Sequence, residues 1–139
     1  MMDRRAVIDM PLRLTLTLLI ISLSLPVADA ALQMQEREAA LRDCEAEAQR
    51  ILDAALELHF QGLGSSRALH VSLPEDSALV IDDGGALHIE HKGQRLSSIH
   101  DHARLPMHSD GELVIEGRAS LVLRAEERGG SHGVWVGLR

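Results

Sequence analysis

The chain has 139 residues, a net charge of −7 and one cysteine. All of the excess negative charge lies beyond residue 30, because three arginines and three aspartates cancel within residues 1–30. An acidic chain without a basic patch is a poor candidate for binding nucleic acid or anionic lipid headgroups. A single cysteine also excludes an intramolecular disulfide framework, so a hydrophobic core has to hold the fold together.

The N-terminus contains the one long uncharged apolar run, residues 14–27, and arginines precede it. This arrangement is typical of exported chains whose N-terminus stays on the cytoplasmic side. One interpretation is a cleaved secretory signal. The run would be its apolar region, and Ala28-Asp29-Ala30 before Ala31 would be the small-x-small cleavage site. Cleavage after Ala30 would release a soluble, secreted protein.

The other interpretation keeps this segment as a membrane anchor. Residues 14–32 carry a single charge, Asp29, and approach the roughly 20 residues that a membrane span needs. A seam of positions spaced three and four residues apart then crosses the Ala30/Ala31 junction without a change of phase. Its members are Val27, Ala30, Met34, Arg37, Leu41, Cys44, Ala48, Ile51, Ala55 and Leu58. Because a cleaved chain has no reason to continue a register across the cut, the seam favours the uncut anchor.

The pattern beyond residue 30 predicts an α+β fold. Residues 31–61 lack Gly and Pro and are rich in strong helix formers, so residues 31–64 should be an amphipathic stalk helix that ends at Gly62 and Gly64. Residues 65–139 alternate apolar and polar side chains between turn sequences. We expect six or seven strands in an antiparallel meander, with the helix seam covering its apolar face. With residues 1–30 as leader or anchor, the chain has three parts.

Histidines offer the best candidate metal ligands. His100 and His102 flank Asp101, and residues two apart on a strand point to the same face and can share a metal. His88, His91 and His108 are candidate third ligands. The alternative is that these are solvated histidines on the polar face of a half-buried sheet, and this alternative is favoured because such short motif matches often mislead.

No other motif points to catalysis. The pairs Glu75-Asp76 and Asp82-Asp83 lie in turn sequences, where Asp is favoured for its local hydrogen bonds. Cys44 has no candidate base next to it, and we expect it to be a small buried helix residue, with an intermolecular Cys44 pair left open. The sequence therefore predicts a protein that is not an enzyme and uses no cofactor.

The overall plan resembles that of type IV pilins and pseudopilins. Arg5-Ala6 ahead of Val7 looks like the cleavage site of an archaeal prepilin-type leader, and residues 14–25 look like the apolar start of the pilin helix. Pro26 matches the proline that kinks such helices, and residues 31–61 match the outer half of the stalk. The resemblance implies a globular β head outside the membrane and assembly through helices.

A pilin is normally apolar at its mature N-terminus, which here would begin at Val7. Met10-Pro11 and Arg13 interrupt that segment, and an arginine inside a filament core is costly without a partner. We therefore expect a membrane-anchored, single-pass accessory protein of pilin-like type, in a pilus-like or homo-oligomeric assembly, rather than a major pilin. The alternative is a cleaved, secreted β-domain that binds a ligand, a partner or a metal.

Overall fold

A computed structural model describes residues 4–99 and 107–139 of the chain. The chain divides into two compact units between Arg37 and Glu38. The described residues of the first unit, 4–37, are all helical. The second contains the remainder of the helix and all of the strands found in the described residues.

The helix, α1, covers Arg4–Gln61. Its second-unit portion, residues 38–61, is rich in Ala, Glu and Leu, which lose little side-chain freedom in a helix. The helix ends where the N–H of Gly62 donates to the carbonyl of Leu58 at 3.2 Å. The predicted stalk, residues 31–64, therefore extends three residues beyond the observed helix end at Gln61.

The described residues of the second unit contain eight strands in two four-stranded sheets. Sheet I has the order β1-β7-β8-β5 and sheet II has the order β4-β3-β2-β6. All neighbouring strands are antiparallel except β5 and β8, which are parallel. The strands are β1 Ser66–Ser72, β2 Ser77–Ile81, β3 Leu87–His91, β4 Gln94–Ile99, β5 Met107–Ser109, β6 Leu113–Glu116, β7 Arg118–Arg128 and β8 Ser131–Leu138.

The α+β class, with a long N-terminal helix packed on antiparallel-rich sheets, is confirmed. The expected meander of six or seven strands differs in detail, since the structure has eight strands in two sheets. The short strand β5, Met107–Ser109, was not expected from the sequence. The other difference originates at Gly117, which has a φ of +57° and interrupts the alternating run that starts at Leu113. A left-handed backbone at this point favours glycine. The run is thereby divided into β6, which joins sheet II, and β7, which joins sheet I.

One hydrophobic core serves the whole second unit. Buried side chains from helix residues 38–61 and from both sheets belong to a single cluster, and its larger members are aliphatic, as expected from a chain with so few aromatic residues. Leu121 and Leu123 of β7 and Leu79 and Ile81 of β2 are fully buried in it. The outer face of sheet I and the solvent side of helix residues 38–61 are among the surfaces that this core leaves exposed.

Candidate functional site

The first unit presents a helix whose apolar side chains have no protein partner. Every large apolar side chain that is described there, from Met10 to Met34, is between 49% and 72% exposed. The helix segment Asp9–Gln61 contains an 18-residue window with a mean hydropathy of 1.8, and none of that window is buried. By length and composition, this helix is able to cross a membrane.

The hydroxyl groups of this apolar segment are all bonded within the helix. Thr15, Thr17, Ser22 and Ser24 each donate to the carbonyl four residues earlier, at 2.7 to 2.8 Å. In hydrocarbon an unsatisfied polar group costs several kcal/mol, and this local bond removes that cost. The segment is therefore compatible with an apolar solvent despite its four hydroxyls.

Two prolines, Pro11 and Pro26, lie inside the helix without ending it. Each removes one backbone N–H and its hydrogen bond, a defect that is tolerated in membrane helices. The candidate cleavage residues lie in continuous helix as well. Ala6 and Val7 lie near its start, and Ala28, Ala30 and Ala31 lie beyond Pro26.

No protein-family model, no curated protein and no solved structure matches this chain. The function therefore has to be argued from the residues themselves.

The predicted seam residues fall into two environments. In the second unit Cys44, Ala48, Ile51, Ala55 and Leu58 are buried in the core, and Leu41 packs against it. In the first unit Val27 and Met34 are 70% and 64% exposed. The second-unit part of the seam is thus occupied by the chain's own sheets, and only the first-unit part is free to meet another helix.

Cys44 is fully buried on this seam. Burial raises the pKa of the Cys44 thiol, and a side-chain hydrogen bond with Ser77 opposes this effect only partly. A raised pKa disfavours the reactive thiolate. Cys44 is therefore placed as a packing residue, and its burial disfavours the intermolecular disulfide that the sequence left open.

Three of the described histidines bond to a serine directly opposite on the neighbouring strand. The pairs are His70 with Ser120 at 2.8 Å, His88 with Ser98 at 2.7 Å and His91 with Ser77 at 3.0 Å. Cross-strand polar pairs of this kind stabilise a sheet. These three histidines are thus used in strand pairing, a role that the sequence analysis did not identify.

His88 also contacts the turn before its strand. Its Nε2 lies 3.0 Å from Asp82 Oδ2, and Asp82 Oδ1 accepts the N–H of Ala86 at 2.9 Å. Because an ionised carboxylate only accepts, His88 donates from Nε2 to Asp82, and a neutral His88 then accepts the Ser98 hydroxyl at Nδ1. Asp82 is thus a turn residue that also orients His88. It is one of the acidic residues that the sequence assigned to a turn.

The predicted metal ligands His100 and His102 lie outside the described residues, so the metal site stays a prediction. Among residues 9–99 and 107–139, no group of three or more His, Cys, Asp or Glu side chains is placed to hold a metal ion. His88, His91 and His108, the candidate third ligands, are described. His108 lies beside the ring of Trp135, with ring centroids 5.0 Å apart.

A further surface was missed by the sequence reasoning. Arg118, Arg124 and Arg128 lie on β7 at positions of the same parity, so their side chains are on one face of sheet I. The signal was present, because Leu121 and Leu123 alternate with them and mark the opposite face as the core side. The sequence analysis did not identify this basic surface because the chain as a whole has a net negative charge.

Proposed function

We propose that this protein is a membrane-anchored, pilin-like accessory protein with its β domain outside the cell membrane and no catalytic activity. The observation that carries the proposal is the exposed apolar helix of the first unit, whose described large apolar side chains are all at least 49% exposed. In water such a surface is energetically unfavourable and prone to aggregation, and soluble monomers seldom expose large contiguous apolar patches. A bilayer removes this cost.

The charges around the helix support a single pass with the N-terminus inside. Arg4, Arg5 and Arg13 precede the apolar residues, and acidic residues dominate after Met34. Positive charge is retained on the cytoplasmic side, so residues 65–139 are expected outside the cell membrane.

The continuous helix supports retention of the anchor. Residues 28–31 are helical, and cleavage after Ala30 would cut within this helix. Prepilin-type processing before Val7 would leave the apolar segment in place. The secreted alternative rests on the arginines that precede the apolar run, on the run itself, on Pro26 and on the Ala28-Asp29-Ala30 triplet.

A face of the first-unit helix that includes the seam residue Val27 supports assembly within the membrane. Ser24, Ala28 and Ala31 lie with Ile20, Leu23 and Val27 along one face of the helix. Small residues at this spacing let helix backbones approach closely in a bilayer. A pilus-like or homo-oligomeric assembly through this face is part of the proposal, and no nucleic acid partner is.

Membrane retention of the full chain tests the proposal. Replacing both Leu18 and Ile21 with Arg places two charges at the centre of the apolar segment, where each costs about 2.5 to 3.5 kcal/mol on insertion. We expect the wild-type chain to stay with the membrane fraction after alkaline washing and to float with vesicles, and the double variant to be lost from both.

The matched control replaces Gln33 and Gln35 with Arg, which adds the same charge outside the apolar segment. This control should stay with the membrane. A wild-type chain that is released by the wash, or a double variant that is retained like the control, would refute the anchor.

A further inference from the structure

The outer face of sheet I carries three arginines of β7, of which Arg128 is engaged within the fold. Arg118, Arg124 and Arg128 lie on this face of β7, and both Arg118 and Arg124 are exposed. Among the described residues neither Arg118 nor Arg124 forms an ion pair. We call this surface the arginine face. It is basic, although the chain as a whole is acidic.

Small residues form a groove beside these arginines. Ala68, Val122 and Gly137 are directly opposite one another on β1, β7 and β8, and they form a low row across the sheet. In the next row Arg124 is opposite Trp135, which makes a higher wall. The resulting groove has a volume of about 550 Å³. Its floor is apolar and its wall is basic.

The wall is held in place by contacts within the sheet. The Arg128 guanidinium lies 4.7 Å from the centre of the Trp135 ring and bonds to Asp110 at 2.7 Å and to Glu126 at 3.0 Å. His108 packs beside the same ring. Trp135 and Arg128 are thus engaged within the sheet, and Arg67 pairs with Glu57 at 2.6 Å. Among the groove's described arginines, Arg124 and Arg139 form no ion pair, and Arg124 is the one that lies on β7 beside the Ala68, Val122 and Gly137 row.

The complementary surface lies on the solvent side of helix residues 38–61. Glu45, Asp53, Leu56 and Phe60 lie within about 80° of one another around the helix axis, opposite the buried seam. Phe60 is 80% exposed and Leu56 is 38% exposed. Among the described residues Glu45 and Asp53 form no ion pair, and Asp53 accepts only the amide of Gln49 at 2.8 Å. We call these four side chains the acidic ridge.

We propose that the arginine face of one copy binds the acidic ridge of a second copy, with Asp53 against Arg124 and an apolar ridge side chain over the Ala68, Val122 and Gly137 floor. The acidic groove residues Asp110 and Glu126 are paired with Arg128, which leaves Arg124 as an unpaired cation opposite the unpaired Glu45 and Asp53 of the ridge. Each surface combines this charge with exposed apolar area. Both surfaces belong to the second unit, outside the proposed membrane segment. This inference rests on the proposed function, because it supplies the contact between heads in the assembly.

The contact is heterologous, since two different surfaces of the chain meet. Such contacts generate open chains or rings rather than closed two-fold dimers. The two surfaces remain free at the ends of an assembly, so further copies are able to add there.

Charge reversal in the full chain, held in detergent micelles, tests the contact by sedimentation. Arg124→Glu or Asp53→Lys should each weaken self-association at low salt by about tenfold, because like charges then meet at the contact. The Arg124→Glu/Asp53→Lys double variant should restore association. Arg95→Glu, at an exposed arginine of sheet II, is the matched control and should associate like the wild type.

Each outcome decides the inference. Loss in both single variants with recovery in the double variant supports it. Wild-type association that none of the charge reversals changes overturns it, as does loss that the double variant does not recover while circular dichroism shows a native fold. If Arg124→Glu abolishes binding to a soluble polyanion such as heparin but leaves self-association unchanged, the face recognises another ligand and the inference is wrong.

The vesicle flotation described above separates this inference from the proposed function. If the chain floats with vesicles but the charge reversals do not change its self-association as expected, the proposed anchor stands and the proposed contact between β domains is wrong. If the chain self-associates through Arg124 and Asp53 but does not float, the contact stands and the proposed anchor is wrong.

Discussion

Cys44 is the residue at which burial most directly controls chemistry. Its side chain is fully buried, and burial raises the pKa of its thiol. We therefore expect Cys44 in the folded full chain to resist alkylation by a maleimide and to react promptly once the chain is unfolded in denaturant.

A cysteine placed at exposed Ala46 in a Cys44→Ala background is the control, since it lies two residues away on the same helix. Equal labelling rates for Cys44 and for the Ala46→Cys variant would contradict the observed placement of the seam.

Asp82 gives the fold a dependence on pH. The hydrogen bond from His88 is the main cause that holds the pKa of the Asp82 carboxyl below its ordinary value of 3.8, and the bond from the Ala86 N–H adds to it. A lowered folded-state pKa contributes stability that is complete above 3.8 and is lost as the pH falls from 3.8 through the folded value.

The Asp82→Asn variant should accordingly lose less stability than the wild type on acidification. Because the side chain is 42% exposed, we expect a cost of about 1 kcal/mol or less at neutral pH. Urea unfolding of the full chain near neutral pH and at about pH 3 measures the difference. Asp83→Asn, in the same turn, is the control, and identical acid sensitivity in all three proteins would refute the role of Asp82.

At the scale of elements, the helix of residues 38–61 is stabilised by one side only. Ile51 is fully buried against the sheets, whereas Leu56 is 38% exposed on the opposite side. Ile51→Ala should therefore lower the free energy of unfolding by about 2 to 5 kcal/mol, because it leaves a cavity in the core.

Leu56→Ala, which removes a side chain of similar size from the exposed side, should cost well under half as much. Denaturant unfolding followed by far-UV circular dichroism compares the two. Similar losses for both variants would mean that the buried side of the helix has been assigned incorrectly.

The elements also show why the helix was predictable and the sheets were predictable only in part. The helix signal is local, since the buried Cys44, Ala48 and Ile51 repeat every three or four residues. Sheet membership depends on distant pairings. The parallel contact of the three-residue strand β5 with β8 leaves no periodic signal in the sequence.

Side-chain contacts at the candidate sites were also not predictable from the sequence. The cross-strand partners of His70, His88 and His91 follow from register, which alternation alone does not specify. The groove beside Arg124 likewise requires Ala68 and Gly137 to lie on either side of Val122, and these residues are distant in sequence.

For the whole molecule, we propose that the N-terminal helix is a permanent part of the mature protein. The first unit has exposed apolar side chains, and the second unit has its own complete core. The described members of that core all belong to the second unit. The proposed role of the apolar helix is to hold the second unit at a membrane and to pack with other helices there.

The intact mass of the protein recovered from its native membrane tests this claim most directly. The account predicts a chain that begins at Met1, at Met2 or at Val7, each of which retains the apolar helix. A mature chain that begins at Ala31 would contradict it, because cleavage there removes the anchor.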